Sequence, residues 1–258
     1  MQEQQTTEEL LRECSEYISK LKGCCVNSMF ARKYSWRAKH PFKVMSYVNA
    51  MTWRMYDMSS SALLLMSHDA LIPSLCLVRA CWENMVAMYE LKTLIQDCCK
   101  QKAITDSVDD TLMRLLYSNR YDKDNRYVGT DYYEQFKDYK AKNILTLVQK
   151  LEIDYPETKD FYSTICEFVH PNGDGVGGSY SYFDETTHTV TFGPRSGRQL
   201  ELFPAFITTL SCSIALYLQF IESINGAITD FSRLCEIALS LKNNGGERDR
   251  FSFKEKTF

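Results

Sequence analysis

The chain has 258 residues, of which 45% are hydrophobic and 24% are charged, a composition typical of a folded protein with a substantial core. Its net charge of −3 excludes an overall positive field for nucleic acid, so any such binding needs a local basic patch. The ten cysteines include adjacent pairs and no Cys-x-x-Cys spacing, which favours reduced thiols over disulfides or a zinc site. Because the N-terminal stretch is polar and acidic, unlike a signal peptide, we expect a cytoplasmic protein.

Helical periodicity dominates the first two thirds of the chain. Thr6 and Glu9 form a capping box before a run with apolar residues on one face, and Gly23 closes this first helix. The pattern predicts five further helices in this part, over about 41–66, 69–99, 106–118, 134–151 and 157–170. The charged, aromatic and aperiodic segment Asn119–Tyr133 is predicted to be a long loop.

The one clear β pattern is the alternation in GSYSYFDETTHTVTFG, residues 178–193, which predicts a hairpin around a short turn. A helical region from about Leu200 to Lys242 follows, and we expect it to bend at Pro204 and to break near Gly226. The predicted fold class is therefore mainly all-α, a helical bundle of about seven helices with one inserted β-hairpin. We expect residues 1–242 to form a single helical domain, followed by a flexible C-terminal tail over 243–258.

The segment Leu202–Ile221 contains 20 residues without a charge, which is long enough to span a membrane. It also holds several Ser and Thr residues, is flanked by Glu201 and Glu222, and lacks a basic cluster that would orient it. A helix that is apolar all round is equally typical of the centre of a large bundle. We therefore favour a buried core helix and expect no membrane partner.

Two charged residues interrupt the apolar third helix. Arg79 and Glu83 are four residues apart and so share one helix face, with apolar residues on either side. One interpretation is an intrahelical salt bridge at a solvent edge, which contributes little to stability. The other is a polar site inside the bundle, since charges on such a helix pair or line a cavity. The sequence leaves both open.

A second polar pair lies at the end of the sixth helix. Glu167 and His170 are three residues apart, and His170 sits in the last turn, where the helix dipole favours its cationic form. Asn172, Asp174 and several glycines follow, and their backbone N–H groups could hold an anion. The competing interpretation is that His170 only ends the helix and the glycines turn the chain into the hairpin.

The stretches LVRACWE (77–83) and YSTICEFVHPNGDG (162–175) resemble a bacterial helical family of unknown function placed near the HEPN superfamily (higher eukaryotes and prokaryotes nucleotide-binding). The resemblance covers about 63–224. It implies that Arg79, Glu83, Glu167 and His170 form one polar cluster that binds or cleaves RNA, or binds a nucleotide. His170 would act as acid or base, Arg79 would hold a phosphate, and the two glutamates would orient them. It also implies a defence, toxin–antitoxin or stress system and a homodimer.

The sequence departs from HEPN ribonucleases in one respect. Those enzymes carry an Arg followed by four to six residues and a His, and no arginine of this chain stands at that spacing from a histidine. A metal-independent ribonuclease would therefore need Arg79 and His170 from different helices. The alternative is a non-catalytic interaction protein in which the cluster is a structural polar network and a partner protein is bound elsewhere. The usual phosphate-loop and metalloprotease motifs are absent, so we expect neither a cofactor nor a metal.

A basic segment, ARKYSWRAKHPF over 31–42, is the best local candidate for nucleic-acid binding. Its cations could contact phosphates and its aromatic rings could stack on bases, a combination used by proteins that bind single strands. The competing interpretation is a solvated loop whose rings anchor it to the core. The residues predicted to bind nucleic acid are Arg32, Lys33, Trp36, Arg37, Lys39 and His40.

Overall fold

The computed structural model describes residues 6–104, 106–117, 141–194 and 196–243. Within these ranges the chain forms seven α-helices, one π-helical turn and one two-stranded antiparallel hairpin. In chain order they are α1 (Thr7–Gly23), α2 (His40–Ser67), α3 (Leu71–Gln101), α4 (Asp106–Tyr117), α5 (Ile144–Asp154), α6 (Thr158–Val169), the π-helical turn (Gly173–Gly178), β1 (Ser181–Asp184), β2 (Thr189–Phe192) and α7 (Ser196–Asn243). The predicted mainly α class with an inserted hairpin is confirmed.

The start of α1 shows the predicted capping box. The Thr6 hydroxyl accepts from the Glu9 backbone N–H at 3.3 Å, and the Glu9 carboxylate accepts from the Thr6 backbone N–H at 2.8 Å. These bonds satisfy two N–H groups that the first turn leaves unpaired. The buried face of the helix consists of Leu10, Cys14, Ile18 and Leu21, at helical spacing.

Two predicted helix boundaries are wrong. The fifth helix was expected over 134–151, yet 141–143 are not helical and α5 begins at Ile144, because the Asn143 side chain accepts from the Leu145 N–H at 3.0 Å and caps the helix. The predicted break near Gly226 is absent, since α7 runs through Pro204 and Gly226 without interruption. Glycine costs a helix only about 1 kcal/mol, and buried neighbours such as Ile224 and Ile228 offset that amount.

The chain groups into two compact units, and the expectation of one helical domain over 1–242 stays a prediction. The first unit is drawn from Met1–Cys25, Thr52–Val86 and Val148–Leu218, and the second from Val26–Met51, Ala87–Leu147 and Gln219–Phe258. The predicted loop Asn119–Tyr133 and, apart from Asn243, the predicted tail over 243–258 lie outside the described residues.

Each unit has its own buried aromatic residues. In the first, the indole N–H of Trp82 donates to the Thr209 carbonyl at 3.2 Å, and both Trp82 and Tyr162 are fully buried. In the second, the rings of Tyr89 and Phe220 lie 5.6 Å apart. Satisfying the indole N–H in this way allows a large side chain to be buried without leaving a polar atom unpaired.

Within the described part of the chain, two helical segments are long and apolar enough to cross a membrane by length and composition, Leu71–Gln101 and Glu201–Leu241. More than half of the most apolar window of each is buried by the rest of the protein. The central helix of a soluble bundle meets the same criteria, so the expectation of a buried core helix over Leu202–Ile221 stays a prediction.

Candidate functional site

Arg79 and Glu83 form an ion pair on α3. The Arg79 Nε donates to the Glu83 Oε1 at 3.1 Å, and both side chains are partly exposed. Buried residues one turn before and after the pair, Leu75 and Val86, place it at the edge of the core of the first unit. The geometry therefore falls between the two interpretations of the sequence, because the charges are neither enclosed in the core nor fully solvated.

Tyr162 on α6 contacts both members of this ion pair. Its hydroxyl donates to the same Glu83 oxygen at 3.0 Å, and the guanidinium carbon of Arg79 lies 5.9 Å from the centre of its ring. The side chain is only 2% exposed. Sequence reasoning missed Tyr162, although it is the first residue of the quoted stretch over 162–175. We call Arg79, Glu83, Tyr162 and the neighbouring Cys166 the Arg79 cluster.

Burial and neighbouring charges shift the pKa values of three members of the Arg79 cluster: Tyr162, Arg79 and Cys166. Burial raises the pKa of the Tyr162 hydroxyl, so this group stays neutral and donates. Burial acts to lower the pKa of Arg79, but its contact with Tyr162 and the charge of Glu83 outweigh that effect and leave the pKa raised. Burial also raises the pKa of the Cys166 thiol, although Arg79 opposes the effect. The cluster thus pairs a permanent cation with a carboxylate, beside a neutral phenol and a neutral thiol.

Glu167 and His170 occupy the exposed end of α6. The Glu167 carboxylate accepts from the Asn172 amide at 2.6 Å, and its charge contributes to the raised pKa of Cys166. His170 caps the helix, with its backbone N–H donating to the Cys166 carbonyl at 3.0 Å. Its exposed imidazole forms no hydrogen bond or ion pair with the residues that the structure describes. The structure therefore joins Arg79 to Glu83 directly, and Glu167 acts on the cluster through its charge near Cys166. His170 reaches the cluster only through its backbone bond to the Cys166 carbonyl, and its imidazole makes no bond to the cluster.

The glycine-rich stretch after His170, for which the sequence leaves open an anion-binding loop or a simple turn into the hairpin, forms a π-helical turn. The Asn172 side chain accepts from the Gly175 N–H at 2.9 Å, and the Asn172 carbonyl accepts from the Val176 N–H at 3.0 Å. Gly175 packs so closely on the backbone that an added Cβ would lie 2.0 Å from the His170 carbonyl oxygen. Two of the N–H groups expected to hold an anion are thus occupied, and the turn holds the backbone of His170 in place.

Hydrogen bonds of Ser35 fix the basic segment of the second unit. The Ser35 hydroxyl donates to the Glu236 carboxylate at 2.7 Å and accepts from the backbone N–H groups of Arg37 and Ala38. Ser35 and Ala38 are buried, while Trp36 between them is 66% exposed. The residues predicted to bind nucleic acid are therefore split, with Lys33, Trp36 and Arg37 exposed and Arg32 and Lys39 half-buried.

His40 differs from the rest of that predicted set. Its imidazole is buried, with Nε2 3.5 Å from the Asp109 Oδ1, which also accepts from the Lys43 ammonium at 2.7 Å. Burial acts to raise the pKa of Asp109, but its contacts with His40 and Lys43 outweigh the effect and lower it. His40 therefore belongs to a buried polar group at the start of α2, and we leave it out of the exposed surface.

Among the residues that the structure describes, no group of three or more His, Cys, Asp and Glu side chains could hold a metal ion. No protein-family model matches the chain, and no curated protein or solved structure shows significant similarity to it. The expected resemblance to the HEPN superfamily therefore rests on the two quoted stretches alone and stays a prediction.

Proposed function

We propose that this chain is a HEPN-like bacterial protein of a defence, toxin–antitoxin or stress system that binds RNA through Arg79. The observation that carries the proposal is the shared acceptor: one oxygen of Glu83 accepts from both the Arg79 Nε and the Tyr162 hydroxyl. The bond to Glu83 uses Nε, and the guanidinium carries two further amino groups. These groups form the bidentate contacts by which arginine recognises phosphate.

The exposure of the cluster supports a ligand site at this edge of the first unit. The Arg79 side chain is about a third exposed, so a phosphate can reach it without unfolding the protein. Tyr162 and Glu83 hold the guanidinium in one orientation, which lowers the entropy lost when a ligand binds. In the catalytic version of the proposal, His170 is the acid or base, and the substrate bridges it to Arg79.

RNA recovered from cells tests the proposal. The tagged full chain is expressed in bacteria and crosslinked to RNA by ultraviolet light, and the copurified RNA is compared between the native chain and Arg79→Gln. Arg233→Gln is the matched control, because Arg233 is a well-exposed arginine paired only within its own helix. We expect Arg79→Gln to lose most of the RNA and Arg233→Gln to retain it. Equal recovery from all three would contradict the proposal.

RNA length and growth of the same expressing cells test whether the protein cleaves RNA. If His170 is the acid or base, RNA shortening and growth arrest caused by the native chain are relieved by His170→Asn. His188→Asn is the control, since His188 is also exposed and its φ of 53° is one that Asn adopts readily. Intact RNA in cells that express the native chain would support binding without cleavage.

A non-catalytic interaction protein is the second candidate. The observation that favours it is the burial of Tyr162, whose hydroxyl is satisfied by Glu83 without any ligand. In this version the cluster fixes α3 against α6, as a satisfied polar network does in a core. Arg79→Gln would then lower the melting temperature and leave RNA recovery unchanged.

A further inference from the structure

The charges of the chain are distributed unevenly along the sequence. No Asp or Glu occurs from Tyr17 to Tyr56, and these 40 residues hold eight Lys and Arg residues in a chain whose net charge is −3. Five of the eight lie in the part that belongs to the second unit, Val26–Met51. An acidic protein therefore carries a local basic segment that can attract a polyanion.

Two large aromatic side chains are exposed within this segment. Phe30 is 63% exposed and Trp36 is 66% exposed, and their rings meet edge to face with centres 6.1 Å apart. The Arg32 guanidinium lies 5.8 Å from the centre of the Trp36 ring. Aromatic rings of this size are normally largely buried, so an exposed pair among cations indicates a contact surface.

The local structure holds this surface in shape. The bonds of the Ser35 hydroxyl to Glu236 and to the N–H groups of Arg37 and Ala38 fix the chain on both sides of Trp36. Two acidic groups near the segment already have partners: Glu236 accepts from Ser35, and Asp109 accepts from Lys43. Within the described ranges, neither Lys33 nor Arg37 forms an ion pair. Their charges thus remain for a ligand.

We propose that Phe30, Arg32, Lys33, Trp36 and Arg37 form a binding surface for single-stranded nucleic acid, here called the Trp36 surface. A base stacks on the Trp36 ring while the cations contact the flanking phosphates, and stacking of this kind tolerates any base. A duplex fits less well, because its bases already stack on each other and expose only their edges. The proposal goes beyond the function proposed above, since it uses other residues in the other unit and does not require Arg79 to bind anything.

Fluorescence anisotropy of a labelled 12-nucleotide oligouridine, titrated with the full chain, tests the Trp36 surface. Stacking of about 1–3 kcal/mol per base predicts that Trp36→Ala weakens binding by roughly five- to 150-fold. Trp36→Phe retains a ring and is expected to keep most of the affinity. Phe192→Ala is the matched control, because Phe192 is 83% exposed on the hairpin and is expected to leave binding unchanged.

The salt dependence of binding separates phosphate contacts from stacking. If Arg37 contacts a phosphate, Arg37→Gln reduces the slope of log affinity against log salt by about 0.7, whereas Trp36→Ala leaves the slope unchanged. The same titration with Arg79→Gln distinguishes the two proposals, since only that variant alters the Arg79 cluster. Equal affinity of Trp36→Ala and the native chain, with equal melting temperatures, would overturn the Trp36 surface. So would tighter binding of an acidic peptide than of the oligonucleotide.

Discussion

The hydroxyl of Tyr162 lies 3.0 Å from the Glu83 carboxylate, which also accepts from Arg79. Without Tyr162, Arg79 and Glu83 would be an ordinary pair four residues apart on a helix, contributing about 0.3–0.5 kcal/mol. The buried phenol changes this, because it donates a hydrogen bond to a charged acceptor away from bulk water. The orientation of Arg79 therefore depends on a residue of another helix.

Tyr162→Phe is expected to destabilise the protein by about 1–2 kcal/mol, since it removes one donor from the Glu83 carboxylate and leaves the ring in place. The free energy of unfolding, measured by urea titration, checks this. Tyr180→Phe is the control, because the Tyr180 hydroxyl makes no hydrogen bond with any residue that the structure describes. Equal destabilisation by both changes would mean that the bond to Glu83 contributes nothing.

Asp109 in the second unit predicts a dependence of stability on pH. Its pKa is lowered in the folded protein, so its contribution is present above the unfolded value of about 3.9 and is lost as the pH falls through the lower folded value. Asp109→Asn removes the negative charge that Lys43 and His40 share and is expected to cost about 3 kcal/mol near pH 7. The difference in free energy of unfolding between native and variant should shrink below about pH 4.

The adjacent aspartate provides the control for this change. Asp110 pairs with Arg114 one turn along the same helix, at 2.7 Å, and its side chain is half exposed. Asp110→Asn is therefore expected to alter stability by less than about 0.5 kcal/mol. A pH-independent difference between Asp109→Asn and the native chain would show that the Asp109 charge does not stabilise the fold.

At the scale of elements, the π-helical turn Gly173–Gly178 determines how α6 ends. π-Helical turns are rare and occur frequently at functional sites. Here the turn places Gly175 against the carbonyl groups of Phe168 and His170, so that only a residue without a side chain fits. The direction in which His170 leaves the helix thus depends on a glycine five residues later.

Gly175→Ala is expected to destabilise the protein by about 1–3 kcal/mol, because the new methyl group would meet backbone oxygens that cannot move cheaply. Gly177→Ala, in the same turn, meets no atom within 4 Å and is expected to be close to neutral. Melting temperatures of the two variants check the difference. Similar melting temperatures would mean that the turn relaxes without cost.

Much of the helical architecture could be predicted from the sequence because the relevant signals are local. The capping box at Thr6 and Glu9 and the hairpin over 178–193 depend on neighbouring residues, and both are present in the structure. The continuity of α7 through Gly226 could not be predicted. It depends on which of the flanking residues are buried, and burial is a property of the packed fold.

The candidate site was predicted only in part, for the same reason. Helical spacing alone brings Arg79 and Glu83 together, whereas Tyr162 reaches them across 79 positions of sequence. The burial of His40 against Asp109 likewise depends on two residues 69 positions apart, so composition suggested an exposed side chain where the fold encloses the imidazole.

At the scale of the whole molecule, positive charge is concentrated in the segment from Tyr17 to Tyr56, which contains no Asp or Glu, although the net charge of the chain is −3. Binding of RNA to such a protein is governed by local cations, so affinity should fall linearly with the logarithm of the salt concentration. Net charge by itself would predict repulsion. Neither proposal requires a membrane or a metal.

The most direct test of the central claim is the dissociation constant of the full chain for single-stranded RNA, with Arg79→Gln compared with Arg233→Gln at 50 mM salt. A contact between Arg79 and a phosphate, worth about 1.5–3 kcal/mol, predicts an affinity loss of roughly ten- to 150-fold for Arg79→Gln and none for Arg233→Gln. Melting curves establish that both variants are folded. Equal affinity of folded Arg79→Gln and the native chain, or no RNA binding by the native chain, would contradict the claim.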